Sequence, residues 1–310
     1  MKQLSLKIKP IEQNLYESSQ MKRTCLICGG NQHQVVFREF EIDILRCCSC
    51  GHVFSTHPGE KDYCSYWGEG VTESEAFLWW DQAHRKVFDL FCKKFISGKN
   101  GKLLDVGCGL GYFVKKVSSY PNWEVFGYEI SRAAVDYARN NLGLKNVLAG
   151  RVEESQFPPQ SFDIITLWDV LEHIPQPDSL LGYLNSLLKE GGILFIHTPN
   201  IAVQLPKARL KKLLKGMNPE VHYLEAKDHM HIYSMKNLEK LLLRNSFARV
   251  DFIHLPPIQA VSGKGNWVLI LVKNLWYFLS LVLFKVSFGR LNFDNLFAVA
   301  IKHYKLSKTI

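Results

Sequence analysis

Along most of the chain, short apolar runs of strand length alternate with longer segments whose apolar residues recur at helical spacing. Near the N-terminus, 35–37 and 42–46 read as two short strands. An amphipathic stretch over 76–96 predicts a helix. The run 102–106 predicts a strand that enters a glycine-rich turn and then a helix to about 119. Further strands are predicted over 123–129, 146–153, 162–168 and 193–200, the last after a helix and a Gly191–Gly192 turn. The run 162–168 is almost continuously apolar, as suits a strand covered on both faces of a parallel sheet. A helix over 234–245, with Ser234 as its N-cap, is followed by strands near 250–254 and 295–302. Strands alternating with helices predict an α/β chain with a doubly wound sheet.

One segment breaks the pattern. Residues 267–286 are apolar almost throughout, which by length admits a membrane span, but Lys273 and Asn274 interrupt it. A span would also put the last strand across the membrane from its own sheet. The remaining readings of the insertion, taken as 264–290, are an interfacial helix or hairpin, a dimer contact, or a lid over an apolar substrate. Its tryptophans, tyrosine and flanking lysines favour peripheral contact with a membrane surface.

Composition adds three constraints. With 47% hydrophobic and 22% charged residues in 310, the chain is globular and long enough for one sizeable α/β domain plus small additions. The net charge of +9 is concentrated at the N-terminus and in Lys207, Arg209, Lys211, Lys212 and Lys215. No aromatic residues interleave with that run as a base-stacking platform requires, so nucleic acid is an unlikely partner and an anionic small acceptor a better one. Residues 1–20 are polar and lack the apolar core of a signal peptide, which points to the cytoplasm, on the inner face of a membrane if 267–286 makes contact.

Eight cysteines in such a chain suit metal binding in a reducing compartment. Cys25 and Cys28 form one CxxC pair and Cys47 and Cys50 a second, each followed by glycine. Two such pairs can present four thiolates to one zinc ion, a closed and therefore structural site. Cys48 is the spare thiol. With the two short strands between the pairs, 21–58 reads as a zinc ribbon, preceded by a tail over 1–20. A linker over 59–75 follows, and the main domain occupies 76–310.

The turn after the first main-domain strand reads Asp105-Val106-Gly107-Cys108-Gly109-Leu110-Gly111-Tyr112-Phe113. Small residues let backbone approach a ligand, and the following helix offers its N-terminal amides. The spacing is G-x-G-x-G and not the G-x-G-x-x-G of dinucleotide sites. Asp105 would repel a pyrophosphate, whereas it suits a ligand bearing a sulfonium and an ammonium. This turn resembles the first motif of class I methyltransferases, and the resemblance runs through roughly 90–304. It implies a seven-stranded, mostly parallel Rossmann-like sheet with an antiparallel last strand, and S-adenosyl-L-methionine as cofactor. Glu129, ending the second strand, takes the place of the acid that holds the ribose hydroxyls, with Ile130 beside the adenine. Where the family often has an acid for the adenine amine this chain has Arg151, leaving the backbone of Val152. Trp168 and Asp169, at the end of the fourth strand, complete the expected cofactor set.

The resemblance is closest in Asp169-Val170-Leu171-Glu172-His173-Ile174. In relatives that act on hydroxylated rings, similar Glu-His pairs serve as base or hold a divalent cation. Glu172 and His173 are therefore catalytic candidates, with His229, from Asp228-His229-Met230-His231-Ile232-Tyr233-Ser234, as a third. The expected activity is methyl transfer to a small molecule. The favoured form is O-methylation of a sugar, glycolipid or other cell-envelope intermediate, with a small or lipid-linked acceptor. C-methylation of a nucleotide-linked sugar and RNA methylation remain as alternatives.

Overall fold

A computed structural model describes residues 24–57, 82–256 and 267–304. The tail over 1–20, the linker over 59–75 and the start of the helix expected at 76 lie outside them. Eleven strands form two sheets among the described residues.

The main sheet has the order β10-β11-β8-β7-β4-β5-β6. Its strands are β4 (Gly101–Val106), β5 (Trp123–Glu129), β6 (Val147–Ala149), β7 (Phe162–Trp168), β8 (Leu188–Thr198), β10 (Phe247–Ile253) and β11 (Leu296–Lys302). Only β11 runs against its neighbours. The doubly wound, seven-stranded sheet expected from the sequence is thus present, antiparallel last strand included.

Strand alternation explains both layers. Leu103 and Ile164 face a cluster with Val87, Phe88 and Phe91 of α1 (Arg85–Phe91), with Phe113 and Val117 of α2 (Tyr112–Ser118), and with Val135 and Ala138 of α3 (Arg132–Asn140). Their chain neighbours Leu104 and Ile165 point the other way. They meet Leu181 and Leu184 of α4 (Pro177–Leu187) and Leu238 and Leu241 of α6 (Met235–Arg244). A sheet buried on both faces needs this near-continuous apolar sequence.

Several segments differ from the sequence expectation or fill what it left open; the strand expected over 146–153 is confined to β6, with a 3-10 turn over Val152–Glu154. The α1 helix ends at Phe91 and passes into a π-helical turn over Cys92–Ile96. Gly191 is not in a separate turn but kinks β8 at a φ of 70°. The stretch after β8 forms α5 (Ile201–Lys215), capped by Asn200, whose side chain accepts from the Ala202 amide.

The second sheet, β1 (His33–Glu39), β2 (Ile42–Cys47), β3 (Val53–Ser55) and β9 (His231–Ile232), joins the cysteine-rich segment to the main domain. Phe37, Ile44 and Val53 pack against Ile201, Leu205 and Ala208 of α5. Arg209 and Lys212 of the basic run turn the same way: Arg209 donates to Val36 O at 3.1 Å, and the Lys212 ammonium lies 5.2 Å from the Phe37 ring. The ribbon therefore borrows apolar surface that its own few residues could not supply.

The apolar insertion is the helix α7 (Trp267–Val286). Among the residues searched, no helix is long and apolar enough to cross a membrane. Ser280 is 2% exposed and bonds His254, whose ring also meets Tyr277 and Phe284. The opposite face shows Leu275, Phe278 and Leu279 to solvent, and Trp276, half exposed at the flank, donates its indole N–H to Phe293 O at 3.2 Å.

Candidate active site

The site lies where the winding direction of the sheet reverses, at the carboxyl ends of β4 and β7. Gly107, Gly109 and Gly111 have φ values of 69°, 52° and 85°. A Cβ on Gly107 would stand 2.5 Å from Val170 Cγ2, so the cofactor turn and the turn after β7 touch there. The amides of Gly107 and Cys108 donate to Tyr128 O at 2.8 and 3.2 Å, which pins the turn to the end of β5.

Two buried acids stand beneath it. Asp105 accepts from the Thr166 hydroxyl at 2.6 Å. Burial pushes its carboxyl up to about 8, with the Thr166 bond opposing and the Glu129 charge adding to the rise. Glu129 accepts from the Gly109 amide through Oε2 and from the Ser131 amide through Oε1, each at 2.9 Å. Burial raises its carboxyl in spite of those bonds. Each oxygen keeps a second lone-pair direction, which suits a pair of ribose hydroxyls. Two buried acids, neither paired with a Lys or Arg among the described residues, fit a positively charged ligand over the turn.

The other expected cofactor residues surround this cradle in different ways. Cys108 is buried, with its sulfur 2.7 Å from where a Cβ on Gly127 would lie. The Tyr112 hydroxyl bonds that of Tyr137 at 2.8 Å. The Phe113 and Trp168 rings, 5.2 Å apart, belong to an aromatic cluster with Phe88 and Phe91, although Trp168 Nε1 is buried without a partner. Ile130 follows Glu129 half-buried, and Val152 is buried at the start of a 3-10 turn after β6.

Asp169, the last of the expected cofactor residues, follows β7 and holds a φ of 52°. Aspartate tolerates that region better than most side chains. Its Oδ1 is 3.0 Å from Nδ1 of His197, a buried residue of β8 whose Nε2 meets the Asn295 amide at 3.1 Å. Burial would raise the Asp169 carboxyl, but His197, His84 and His173 outweigh it and hold it below its usual value.

A single 3-10 turn, Leu171–His173, then carries both catalytic candidates. Glu172 is 1% exposed; its Oε2 accepts from the Thr198 hydroxyl at 2.9 Å, and its Oε1 has no hydrogen-bond partner. Burial, reinforced by the Asp169 charge, raises its carboxyl well above the normal range. His173 Nδ1 lies 3.0 Å from the Asp228 carbonyl, so Nδ1 bears the proton and Nε2 is the basic nitrogen. Burial and the nearby His229 lower the imidazole to about 4, leaving it neutral at physiological pH. The His229 ring centroid is 4.9 Å from that of His173, and its Nε2 is 3.5 Å from Glu225 Oε2. One ligand atom each from Glu172, His173 and His229 lies within 4.8 Å of the others. That spacing admits a divalent cation, which would satisfy Glu172 Oε1.

The sequence reading missed His197, Thr198, Thr166 and Glu225. The first three carry a legible signal: they are polar residues in apolar strand runs, at or near carboxyl ends. Glu225 stands four residues before His229, within one local turn, but no motif marks it out in the sequence.

At the ribbon, the sulfurs of Cys25, Cys28, Cys47 and Cys50 lie within 4.8 Å of one another, with Cys25–Cys50 and Cys28–Cys47 both at 3.5 Å. A tetrahedral zinc site with Zn–S bonds of ~2.3 Å has S–S edges of about 3.8 Å. Gly29 and Gly51, at φ 72° and 75°, close each knuckle by donating to Cys25 O and Cys47 O. Cys48 is exposed. The four thiols fit one zinc ion.

Fold and site together define an α/β protein with a cradle for a cationic nucleoside ligand and a histidine–carboxylate cluster beside it. The methyltransferase domain family matches residues 79–251, more than half of the chain, and the chain belongs to that family, a class of S-adenosylmethionine-dependent enzymes. It is similar to a ubiquinone biosynthesis O-methyltransferase of Nitrosococcus oceani, 29% identical over 44% of this chain and 62% of that one. One from Coxiella burnetii is 31% identical over 39% of this chain and 57% of its own. The chain thus spans about six-tenths of the length of these curated relatives. A solved phosphoethanolamine N-methyltransferase 2 of Haemonchus contortus is 16% identical, with a TM-score of 0.50 over 79% of this chain and 61% of that one. That likeness concerns the fold alone.

Proposed function

We propose that this chain is an S-adenosylmethionine-dependent O-methyltransferase of a small hydroxylated molecule. The acceptor class we assign is a sugar, a glycolipid or another lipid-linked cell-envelope intermediate. The observation that carries the reading is that Glu172 and His173, in the turn after β7, are joined by His229 from the segment before β9, while Val170 of that same turn touches Gly107 of the glycine turn. The names of the relatives support transfer to oxygen.

When bound, the cofactor supplies a methyl carbon activated by a positive sulfur. The chain's own residues align and deprotonate. Asp105 and Glu129 favour the cationic ligand and fix its ribose. His173 is neutral and has its tautomer set by Asp228 O, so Nε2 is the atom that takes the acceptor's hydroxyl proton. Glu172 and His229 each bring a ligand atom within 4.8 Å of one on His173, so the three could share a divalent cation. The four cysteines hold a structural zinc in this reading.

The exposed face of α7 is assigned to an anionic bilayer surface. From Trp267 to Leu291 the chain has Lys273, Lys285 and Arg290 and no acid, and Trp276, Phe278 and Phe288 are exposed. Sedimentation with phosphatidylcholine vesicles, with and without phosphatidylglycerol, tests this. Binding that needs the anionic lipid and is lost in Trp276→Glu supports it, whereas a dimer that ignores vesicles overturns it.

The main test is calorimetric titration with S-adenosylhomocysteine, followed by transfer of labelled methyl to catechols, nucleotide sugars and lipid-linked sugars. Micromolar binding and label on oxygen are expected. Absence of binding sinks the enzyme reading, and label on carbon moves the activity to C-methylation.

A further inference from the structure

The ribbon contributes no sulfur to the acceptor side, yet it reaches that side from two directions. First, it clamps the segment that carries Glu225, Asp228 and His229. Strand β3 pairs with β9 through Val53↔Ile232 and Phe54↔His231. Ser55 donates its amide to Met230 O at 3.0 Å and its hydroxyl to Ala226 O at 2.6 Å. The buried Glu39 accepts through Oε2 from the amides of Leu224 and Ala226 at 3.1 and 3.2 Å. Ribbon residues thus hold the backbone on either side of Asp228, whose carbonyl sets the tautomer of His173.

Second, a directional chain of hydrogen bonds runs from the second knuckle to the catalytic turn. His52 follows Cys50 and Gly51, and its Nε2 is 3.1 Å from Nδ1 of His231. His231 Nε2 is 3.1 Å from the carbonyl of Pro175, two residues after His173. Both rings are buried, and they stack at 5.2 Å. A carbonyl can only accept, so His231 Nε2 bears a proton. In a neutral ring Nδ1 is then the acceptor, and the proton between the rings belongs to His52 Nε2. Every donor points from the knuckle toward Pro175. Arg244 adds a brace, donating to Leu26 O and Ile27 O of the first knuckle while pairing with Asp178 at the start of α4.

We propose that the cysteine ribbon is a positioning element for the acceptor side, in which His52 and His231 hold the Glu172–His173 turn through Pro175. This rests on the reading of Glu172 and His173 as acceptor-side groups. The ribbon then shapes the place where the hydroxyl is deprotonated and leaves the cofactor cradle, which it does not touch through these bonds, unaffected.

The test compares His231→Leu with His231→Gln in the full, zinc-replete chain. The glutamine amide can still donate to Pro175 O, whereas leucine cannot. Amide hydrogen exchange is read at His173 and Ile174, which bond Val170 O and Leu171 O, and at Gly107 and Cys108 as the internal reference. Exchange at the first pair should quicken roughly tenfold or more in the leucine variant, recover in the glutamine variant, and stay constant at the second pair. Affinity for S-adenosylhomocysteine should not change in either. In the unmodified protein, long-range nitrogen–proton correlation should find His52 and His231 as Nε2–H tautomers. An Nδ1–H tautomer at His231, unchanged exchange in the leucine variant, or a glutamine variant as damaged as the leucine one would each overturn the proposal. If the leucine variant fails to fold, the tautomers and the glutamine variant decide. Failure of the unmodified protein to bind S-adenosylhomocysteine removes the methyltransferase reading but leaves the exchange result standing.

Discussion

The two halves of the site are built by different rules. The proposed cofactor half comes from one short stretch: a strand, a glycine turn, a helix and the end of the next strand place Asp105, Gly107, Gly109 and Glu129 within 25 residues of sequence. Its ligands are backbone amides and two acids fixed by parallel pairing of β4 with β5. The acceptor half gathers residues from the β7 turn, the end of β8, the 225–233 segment and, through His52, the ribbon. Local chemistry fixes the first half, and tertiary packing fixes the second. Disturbing long-range structure should therefore damage acceptor chemistry long before cofactor binding.

Loss of one of the proposed zinc ligands is the strongest way to try to break that contrast. Structural zinc contributes on the order of 10 kcal/mol in small modules, so Cys47→Ser should disorder the ribbon. The expected outcome is loss of methyl transfer, with affinity for S-adenosylhomocysteine within about threefold of the starting value, a difference under 1 kcal/mol. Equal loss of both, measured by calorimetry on the metal-free variant, would show the halves to be one cooperative unit.

His173→Ala sharpens the same contrast from within the acceptor half. Loss of a general base costs roughly 10²–10⁴-fold in turnover. Turnover should fall by that order while the cofactor dissociation constant stays put, as read from single-turnover rates at saturating cofactor.

Gly107→Ala attacks the seam between the halves. The positive φ costs about 1–2 kcal/mol for a residue with a Cβ. The contact with Val170 at 2.5 Å adds an overpacking cost of similar size. Together they should weaken S-adenosylhomocysteine binding about 100-fold, at roughly 1.4 kcal/mol per tenfold. Val170→Ala in the same chain should recover about tenfold, because it removes the clash and leaves the backbone strain. No recovery would place the whole cost in the turn itself.

The same division explains what the sequence could tell. Strands such as Phe162–Trp168, the glycine turn and the Ser234 cap were legible because the physics that sets them is local: alternation, positive φ, an N-cap whose hydroxyl accepts from the Asn237 amide. Glu172, His173 and His229 were legible as candidates, and the fold brings them together. Their arrangement was not legible, because Asp228 O and Pro175 O meet their histidines only through the segment around β9, and Thr198 meets Glu172 only where the end of β8 lies beside the turn after β7. The basic run shows the reverse case. As sequence it suited an anionic acceptor, yet Arg209 and Lys212 cover the ribbon and Lys211 bonds His222 O. Part of its charge serves as a fastening.

Asp105 gives the mildest test, because here the cofactor half answers to charge and not to shape. With its carboxyl raised to about 8, Asp105 is about nine-tenths protonated at pH 7 in the ligand-free protein. A folded value above the unfolded one gives stability that is present below about 4 and lost as pH rises through about 8. The ligand-free protein should therefore lose this contribution progressively between about pH 4 and pH 8, and Asp105→Asn should flatten that slope. A cationic sulfonium over the turn favours the ionised form, so binding S-adenosylmethionine expels the proton and affinity rises with pH up to about 8. Calorimetry at pH 7 in buffers of different ionisation enthalpy should find close to one proton released per cofactor, and none in Asp105→Asn. S-adenosylhomocysteine lacks the sulfonium charge and should release less. Equal release by both ligands would show that Asp105 answers to the ammonium they share, and would place the carboxyl under the amino acid end of the cofactor instead of its sulfur.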